Sequence, residues 1–386
     1  MDTQQSLAKE QSLAKEQSLA KEQSLANEQS LEAEQDLRIA FITGITGQTA
    51  SYLCEFLLAK KYIIYGLVRR SSTLNTGRID HILNQLHLKY GDLTDLPSIH
   101  AILGCIQTEN PTMNLLEVYN LGAMSHVKVS FDAPVSTAQS VAIGALNLLE
   151  AIRMCNLVSK VRFYQAGSSE MFGKVREIPQ TETTMFYPRS PYAVAKQFAH
   201  SMAINYRESY GLFVCNGILF NHESPRRSFN FVSRKITIGV GKIIRALNEK
   251  QEPPILTLGN LDAKRDWSHA KDMARGMWMM LQQDIDDDYV LCSGQTHSVR
   301  QFVEICFAKR DIHIMWTGVG EKEIGYDVKT NQKLVQVDKK YFRPAEVEFL
   351  LGSSNKAFQK FQWIPDYSFE QLVTDMLDHD CPYSTI

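Results

Sequence analysis

The chain has 386 residues, 44% apolar and 22% charged, with a formal net charge of −2. That length holds a large core in one two-lobed unit or two domains, and the near-neutral charge gives no general attraction to nucleic acid. No run approaches the ~18 uninterrupted apolar residues of a membrane span, and the N-terminus lacks a signal-peptide core, so a cytoplasmic protein is expected. Its seven cysteines are scattered, with no CxxC pair and no zinc spacing, which suits buried thiols in a reducing compartment and predicts no metal site.

Residues 1–36 repeat QSLAKE and close variants, with Leu7, Leu13, Leu19, Leu25 and Leu31 six apart. In a helix of about 3.6 residues per turn such a spacing spreads the leucines over three stripes rather than one face. A solvated low-complexity tail is expected.

The fold begins with LRIAFITGITGQTASYLCEFLLAKKY. A strand from Leu37 to Thr43 leads into a turn with Gly44 and Gly47, and a helix opens at Ala50. Glycines between strand and helix let a backbone approach a pyrophosphate, which then rests on the helix N-terminus. The pattern is G-x-x-G-x-x-A, which an ordinary strand-to-helix turn also satisfies. The next strand, Ile63 to Val68, ends in Arg69-Arg70-Ser71-Ser72; a ribose 2′-hydroxyl calls for an acidic residue there and a 2′-phosphate for arginine, so NADP is favoured over NAD. A short strand ending at Asp92, next to Leu93, suits the flank of an adenine ring. The strand Val118 to Leu121 ends on small residues, Gly122 and Ala123, beside which a dinucleotide can lie flat. Ala138 to Asn156 reads as an amphipathic helix with Leu146, Leu149, Ile152 and Cys155 towards the core. Strand–helix alternation predicts an α/β, doubly wound parallel sheet.

Chemistry concentrates between Gln165 and Lys196. Ser168, Ser169 and Glu170 follow an apolar strand through Val161, Phe163 and Tyr164, at the carboxyl end where open parallel sheets carry their sites. Tyr192 and Lys196 are four apart in a helical stretch and share one face. A lysine ammonium there is expected to lower the phenol pKa towards neutrality. Ser168, Glu170, Tyr192 and Lys196 thus supply a hydroxyl donor, a carboxylate, an activatable phenol and a cation. A lone YxxxK on a surface helix is usually coincidence, so the set counts only in company.

After the strand Phe213 to Phe220, the loop NHESPRR holds Asn221, His222, Glu223, Arg226 and Arg227, with Arg234, Lys235 and Arg265 downstream. Cations gathered near one loop of a near-neutral chain suggest an anionic ligand such as a diphosphate, against the alternative of solvated surface charges. From about Lys242 the alternation loosens, as in a smaller substrate lobe, with a helix opening at Ser298 and a closing loop and helix after Tyr341. The expected organisation is a tail over 1–36, a dinucleotide-binding domain over 37–225 to which some later segments return, and a nucleotide-sugar lobe over 226–386. His269, His297 and His313 lack metal spacing and read as structural.

GITGQ, GLVRRSS, LKYGDLTD, VYNLGA, IPQTET, FYPRSPYAVAK, NGILFNHESPRR, DAKRDWSHAKD, HSVRQFVE and RPAEVEFLLG, in this order over Arg38 to Pro365, resemble the GDP-mannose 4,6-dehydratase family of the extended short-chain dehydrogenase/reductase superfamily. The resemblance implies a Rossmann sheet with a smaller C-terminal α/β lobe, NADP as cofactor and GDP-mannose as substrate. By family analogy Tyr192, held by Lys196, takes the 4-hydroxyl proton, Glu170 removes the C5 proton and helps expel the 6-hydroxyl as water, and Ser168 donates to the ketone oxygen. Carried over by position, Gly44, Ile45, Thr46, Gly47, Gln48, Thr49, Arg69, Arg70, Ser71, Ser72, Asp92, Leu93, Leu121, Gly122, Ala123, Met124, Ser125, Lys196, His222 and Arg227 contact NADP. Ser125, Asn221, Glu223, Arg234, Lys235 and Arg265 are the expected substrate contacts. A homotetramer or homodimer is implied, partly through the arginine-rich loop. The chain differs from the family pattern at Thr49, Ala50, Met124, Ser136, Val141, Ser168 and Ser228. A catalytically silent paralogue that binds GDP-sugar or NADP therefore remains open, as does another nucleotide-sugar epimerase or reductase of the same fold.

Overall fold

In the computed structural model residues 37–73, 75–342 and 349–382 are described; the repeat tail and the start of the RPAEVEFLLG segment lie outside them. Seven parallel strands form the main sheet. They are β1 (Ile39–Thr43), β2 (Ile63–Val68), β3 (Leu86–Tyr90), β4 (Leu116–Asn120), β5 (Val161–Ala166), β6 (Phe213–Leu219) and a late strand, Asp288–Leu291. Across the sheet the order runs from Asp288–Leu291 through β6, β5, β4, β1 and β2 to β3. The chain winds outwards in both directions from β1, so a crevice opens between the carboxyl ends of β1 and β4.

All five residues of β1 and of β4 are buried; β1 is apolar up to Thr43, whereas β4 carries Glu117, whose carboxylate accepts from Tyr62 Oη at 2.9 Å and Tyr119 Oη at 2.6 Å. One face of the sheet is covered by α1 (Gln48–Ala59), through Leu53 and Leu57, and by the helix Ala270–Leu281, through Met273 and Met277. The other face packs against Ile99 and Leu103 of α2 (Leu96–Glu109), Leu149 and Ile152 of α3 (Pro134–Met154), and Ala203 and Tyr206 of α4 (Pro191–Tyr210). By length and composition α3 could cross a membrane, but half of its apolar window is buried here.

The second lobe carries a four-stranded sheet in the order Ile314–Thr317, Ile324–Asp327, Lys333–Val337, Leu256–Leu258. Its core joins Ile236 and Val240 of α5 (Val232–Asn248) to Trp267, Phe302 and Phe369, with Trp267 and Phe369 stacked at 5.7 Å. The helix expected at Ser298 opens there with a reciprocal cap: the Gln301 N–H donates to Ser298 Oγ at 3.1 Å and the Ser298 N–H to Gln301 Oε1 at 2.9 Å.

Some boundaries differ from expectation. β3 ends at Tyr90, so Asp92 stands in the following loop, where its carboxylate accepts from the Thr94 N–H at 2.9 Å. The helix expected from Ala138 starts at Pro134, whose fixed φ suits a first turn, and contains a π turn over Gln139–Ile143. Leu146 and Cys155 are only half-buried on it. Gly144 follows the π turn, where a Cβ would lie 2.9 Å from Leu93 Cβ.

The crevice depends on a close backbone crossing. Gly44 has φ +67°, and a Cβ built on it would lie 2.8 Å from Gly122 Cα. Gly44→Ala therefore meets both a left-handed conformation and a backbone clash, and a cost of about 2 kcal/mol or more is expected. Urea unfolding tests this; an unchanged midpoint would show that the two loops part without loss.

Candidate active site

The crevice is the mouth of a cavity of about 1370 Å³ bounded by both lobes. Beneath its floor runs a ladder of buried polar side chains at the strand ends. Thr43 Oγ1 donates to Asn120 Oδ1 at 2.8 Å, Asn120 Nδ2 to Gln165 Oε1 at 2.9 Å, and Gln165 Nε2 to the Ala166 carbonyl at 3.1 Å. Lys196 Nζ donates to the same carbonyl at 2.7 Å. All four side chains are buried, and pairing among themselves removes the penalty of taking them out of water. The sequence reading passed over Thr43, Asn120 and Gln165; their signal is that apolar strands end on a hydrogen-bonding residue.

α4 presents Tyr192 and Lys196. Ser190 caps it, accepting from the Ala193 N–H at 3.1 Å, Pro191 fills the first turn and Gly211 ends it at φ +67°. Opposite, Ser168 ends the extended segment after β5 and caps a short 3-10 turn, its Oγ accepting from the Glu170 N–H at 3.2 Å. Ser168, Glu170, Tyr192 and Lys196 all line the cavity, and the last three are nearly buried.

The electrostatics overturn one expectation. Lys196 does not bring the Tyr192 phenol towards neutrality. Burial pushes the phenol up to about 12, helped by the Glu170 carboxylate, while a hydrogen bond from Ser168 and the charge of Arg227 oppose the rise. The lysine ammonium faces the Ala166 carbonyl and stands 5.8 Å from the phenol ring centroid. Burial brings Lys196 itself down to about 8. Arg227, which pairs with Glu223 at 3.0 Å, is thus the cation acting on the phenol.

Most of the expected binding residues meet on this cavity: Gly44, Thr46 to Thr49, Arg69 to Ser71, Asp92, Leu93, Leu121 to Ser125, Asn221 to Glu223, Arg227, Lys235 and Arg265. Three stand elsewhere. Ile45 is buried beneath β2, against Gly66; Ser72 lies in the exposed loop beyond the cavity wall; Arg234 turns away to pair with Asp380 at 2.7 Å. Arg226 also leaves the cavity, binding Glu55 at 2.5 Å and lying 4.0 Å from the Tyr52 ring centroid. Gln48 joins the two ligand-facing loops: its Nε2 donates to the His222 carbonyl at 3.1 Å and its Oε1 accepts from Ser224 Oγ at 2.8 Å. His222 is lowered to about 4 by burial and the neighbouring Arg227, so it is neutral at physiological pH. His269 is structural: its Nδ1 caps a helix and its Nε2 meets Asp375 at 3.0 Å.

Of the residues that differ from the family pattern, Thr49, Ala50, Met124, Ser136, Ser168 and Ser228 line the cavity, and Thr137 Oγ1 donates to Met124 Sδ at 3.5 Å. Val141 is in a small core with Ala142 and Ala195.

The profile of the GDP-mannose 4,6-dehydratase family matches residues 41–376. GDP-mannose 4,6-dehydratases of Cricetulus griseus and Homo sapiens are each 51% identical to this chain, over 89% of it and 91% of their own length. The Vibrio cholerae protein of that name is 49% identical over 89% of this chain and 93% of its own. Among solved structures, a Thermus thermophilus UDP-glucose 4-epimerase with NAD has a TM-score of 0.69 at 21% identity, covering 89% of this chain and 98% of that one. A Bacillus anthracis dTDP-glucose 4,6-dehydratase with NAD has 0.69 at 18%, covering 89% and 96%. The distant structures establish the fold alone. The near relatives, aligned across both lobes and the cavity between them, place this chain in the GDP-mannose 4,6-dehydratase family.

Proposed function

We propose that the cavity binds NADP and GDP-mannose together, and that Ser168, Glu170, Tyr192 and Lys196 convert the sugar to GDP-4-dehydro-6-deoxy-mannose and water. The observation that carries this reading is the convergence of those four side chains with the glycine turn and the arginine-ended strand on one cavity.

The residues fit the cofactor. β2 is followed by arginines, not by a carboxylate that would repel a 2′-phosphate. Gly44 and Gly122 leave the crevice without side-chain bulk, and among the described residues the buried Asn221 Oδ1 on its wall has no hydrogen-bond partner and can accept from a ligand. Arg69, Arg70 and Ser71 would hold the 2′-phosphate, the turn from Gly44 to Thr49 the diphosphate, and Asp92 and Leu93 the adenosine. When bound, NADP supplies an electron-pair acceptor at C4 that is restored within each turnover.

Tyr192, as phenolate, accepts the proton of the 4-hydroxyl. Its neighbours make that possible only in part before ligands enter, because Ser168 and Arg227 favour the phenolate while burial disfavours it. Once C4 is a ketone the C5 proton is acidic. Glu170 removes it and returns a proton to the departing 6-hydroxyl, so water leaves and a C5–C6 double bond forms. The hydride lost from C4 then returns to C6 and a proton, equal to the one lost from the 4-hydroxyl, to C5, which gives the 4-keto-6-deoxy sugar. Ser168 donates to the C4 oxygen as charge builds on it. A 4-epimerase needs no carboxylate aimed at C5, so Glu170 in the cavity favours the dehydratase. Lys235 and Arg265 supply charge for the GDP diphosphate at the second-lobe wall.

The protein is further proposed to act as a homo-oligomer in the cytoplasm. All seven cysteines are free, which suits a reducing compartment. Exposed Val135 and Ile143 on α3 and Val194 and Phe198 on α4 form an apolar strip suited to a second copy.

Three outcomes follow. Glu170→Gln is expected to lower the rate of water loss by roughly 10²- to 10⁴-fold, the usual contribution of a positioned acid–base group, with GDP-mannose affinity little changed. Mass spectrometry of the sugar nucleotide reads this, and normal dehydration would exclude Glu170 as the base. Because the phenol pKa lies above its ordinary value, kcat/KM should rise between about pH 7 and about pH 9 as the phenolate fraction grows; a flat or falling profile would place the proton acceptor elsewhere. Phe198→Glu should drive the oligomer towards monomer in sedimentation, and an unchanged sedimentation coefficient would move the interface off this strip.

A further inference from the structure

Four guanidiniums gather where the turn after β1 meets the loop after Phe220. Three have carboxylate partners: Arg226 with Glu55 at 2.5 Å, Arg227 with Glu223 at 3.0 Å, and Arg234 with Asp380 at 2.7 Å. The fourth, Arg78, has none among the described residues. Its Nε donates to the Arg226 carbonyl at 2.7 Å, its Nη1 to the Thr46 carbonyl at 3.3 Å and its Nη2 to Ser228 Oγ at 3.0 Å. Each partner is neutral, and two of the five guanidinium N–H groups are left for a ligand. Arg78 lines the cavity, and burial with the charges of Arg234, Arg227 and Arg226 works against its own charge. A half-buried cation facing other cations and no anion is costly unless an anion joins it.

The sheet register says which anion. Thr43 pairs with Leu67, so the turn holding Thr46 and the arginines after Val68 lie side by side at one sheet end. A group tethered to the Thr46 carbonyl stands beside the place where the ribose 2′-substituent of a dinucleotide falls. Resting on the NADP reading above, we propose that Arg78 is a specificity-determining residue for the cofactor, binding its 2′-phosphate, and that Ser228 holds the guanidinium in position. The Ser228 hydroxyl supplies the side-chain acceptor that holds one end of the guanidinium. A phosphate monoester is the one group that separates NADP from NAD, and a planar guanidinium with paired N–H groups matches its oxygens.

The test is equilibrium binding of NADP⁺ and of NAD⁺, each alone, to the full chain and to Arg78→Met and Ser228→Ala, by calorimetry. Arg78→Met should weaken NADP⁺ by about tenfold or more, the usual cost of a charge-assisted contact, while NAD⁺ changes by less than about twofold. Ser228→Ala, which removes only one hydroxyl and keeps the fold, should weaken NADP⁺ selectively by a smaller factor. Equal losses for both dinucleotides would overturn the proposal, since Arg78 would then act on the shared diphosphate or on the shape of the turn. So would unchanged NADP⁺ affinity in both variants. If the unaltered chain prefers NAD⁺ or binds neither, the NADP reading itself falls, and the proposal with it.

Discussion

Everything at the active site rests on the buried ladder from Thr43 through Asn120 and Gln165 to the Ala166 carbonyl and Lys196. Each strand end in a parallel sheet leaves backbone and side-chain polar groups facing a crevice that ligands will dry. Here those groups satisfy one another sideways across β1, β4 and β5, so they neither need water nor compete for ligand. The same chain of bonds fixes distances: the Gly122 N–H donates to Thr43 Oγ1 at 3.0 Å at one end, and Lys196 is tied down at the other. The cofactor turn and the catalytic helix are thereby spaced by side chains that touch neither substrate nor product. A half-satisfied version would be worse than an apolar floor.

The electrostatics add a second layer. Lys196 is buried with a carbonyl as partner and is brought down to about 8, while the phenol beside it is pushed up to about 12. The same dry environment therefore biases both groups towards their neutral forms. Perturbed, buried, cavity-lining groups are a mark of functional sites. In this chain they coincide with the residues that the family relationship would select.

Much was legible in the sequence. The apolar runs of β1 and β2 announced buried strands, and the 192/196 spacing announced a shared helix face. Ser298 announced its own cap. What was not legible depended on partners distant in sequence. Arg226, Arg227 and Arg234 look alike in one cationic stretch, yet only Arg227 and Lys235 reach the cavity, because Glu55 and Asp380 claim the other two. Ile45 sits within the glycine motif but its side chain packs into the space left by Gly66 of β2, a partner twenty-one residues on. Lys196 pointed to an activated phenol by spacing alone; the Ala166 carbonyl that diverts its ammonium is thirty residues away. The π turn in α3 has no compositional signature.

The late strand Asp288–Leu291 carries a consequence for how the chain comes to be folded. It forms the edge of the main sheet beside β6 and is pinned there, Asp288 meeting Arg207 at 2.5 Å and accepting from Asn216 Nδ2 at 2.9 Å. During synthesis β6 emerges well before its neighbour, with most of the second lobe's first segments in between. The main sheet thus keeps an open, unpaired edge until the chain has passed Leu291, and contacts of such long sequence separation form slowly. The main sheet is therefore completed only after the first segments of the second lobe have been made, and the dinucleotide-binding half of the cavity is not a unit that the chain finishes before it starts the other.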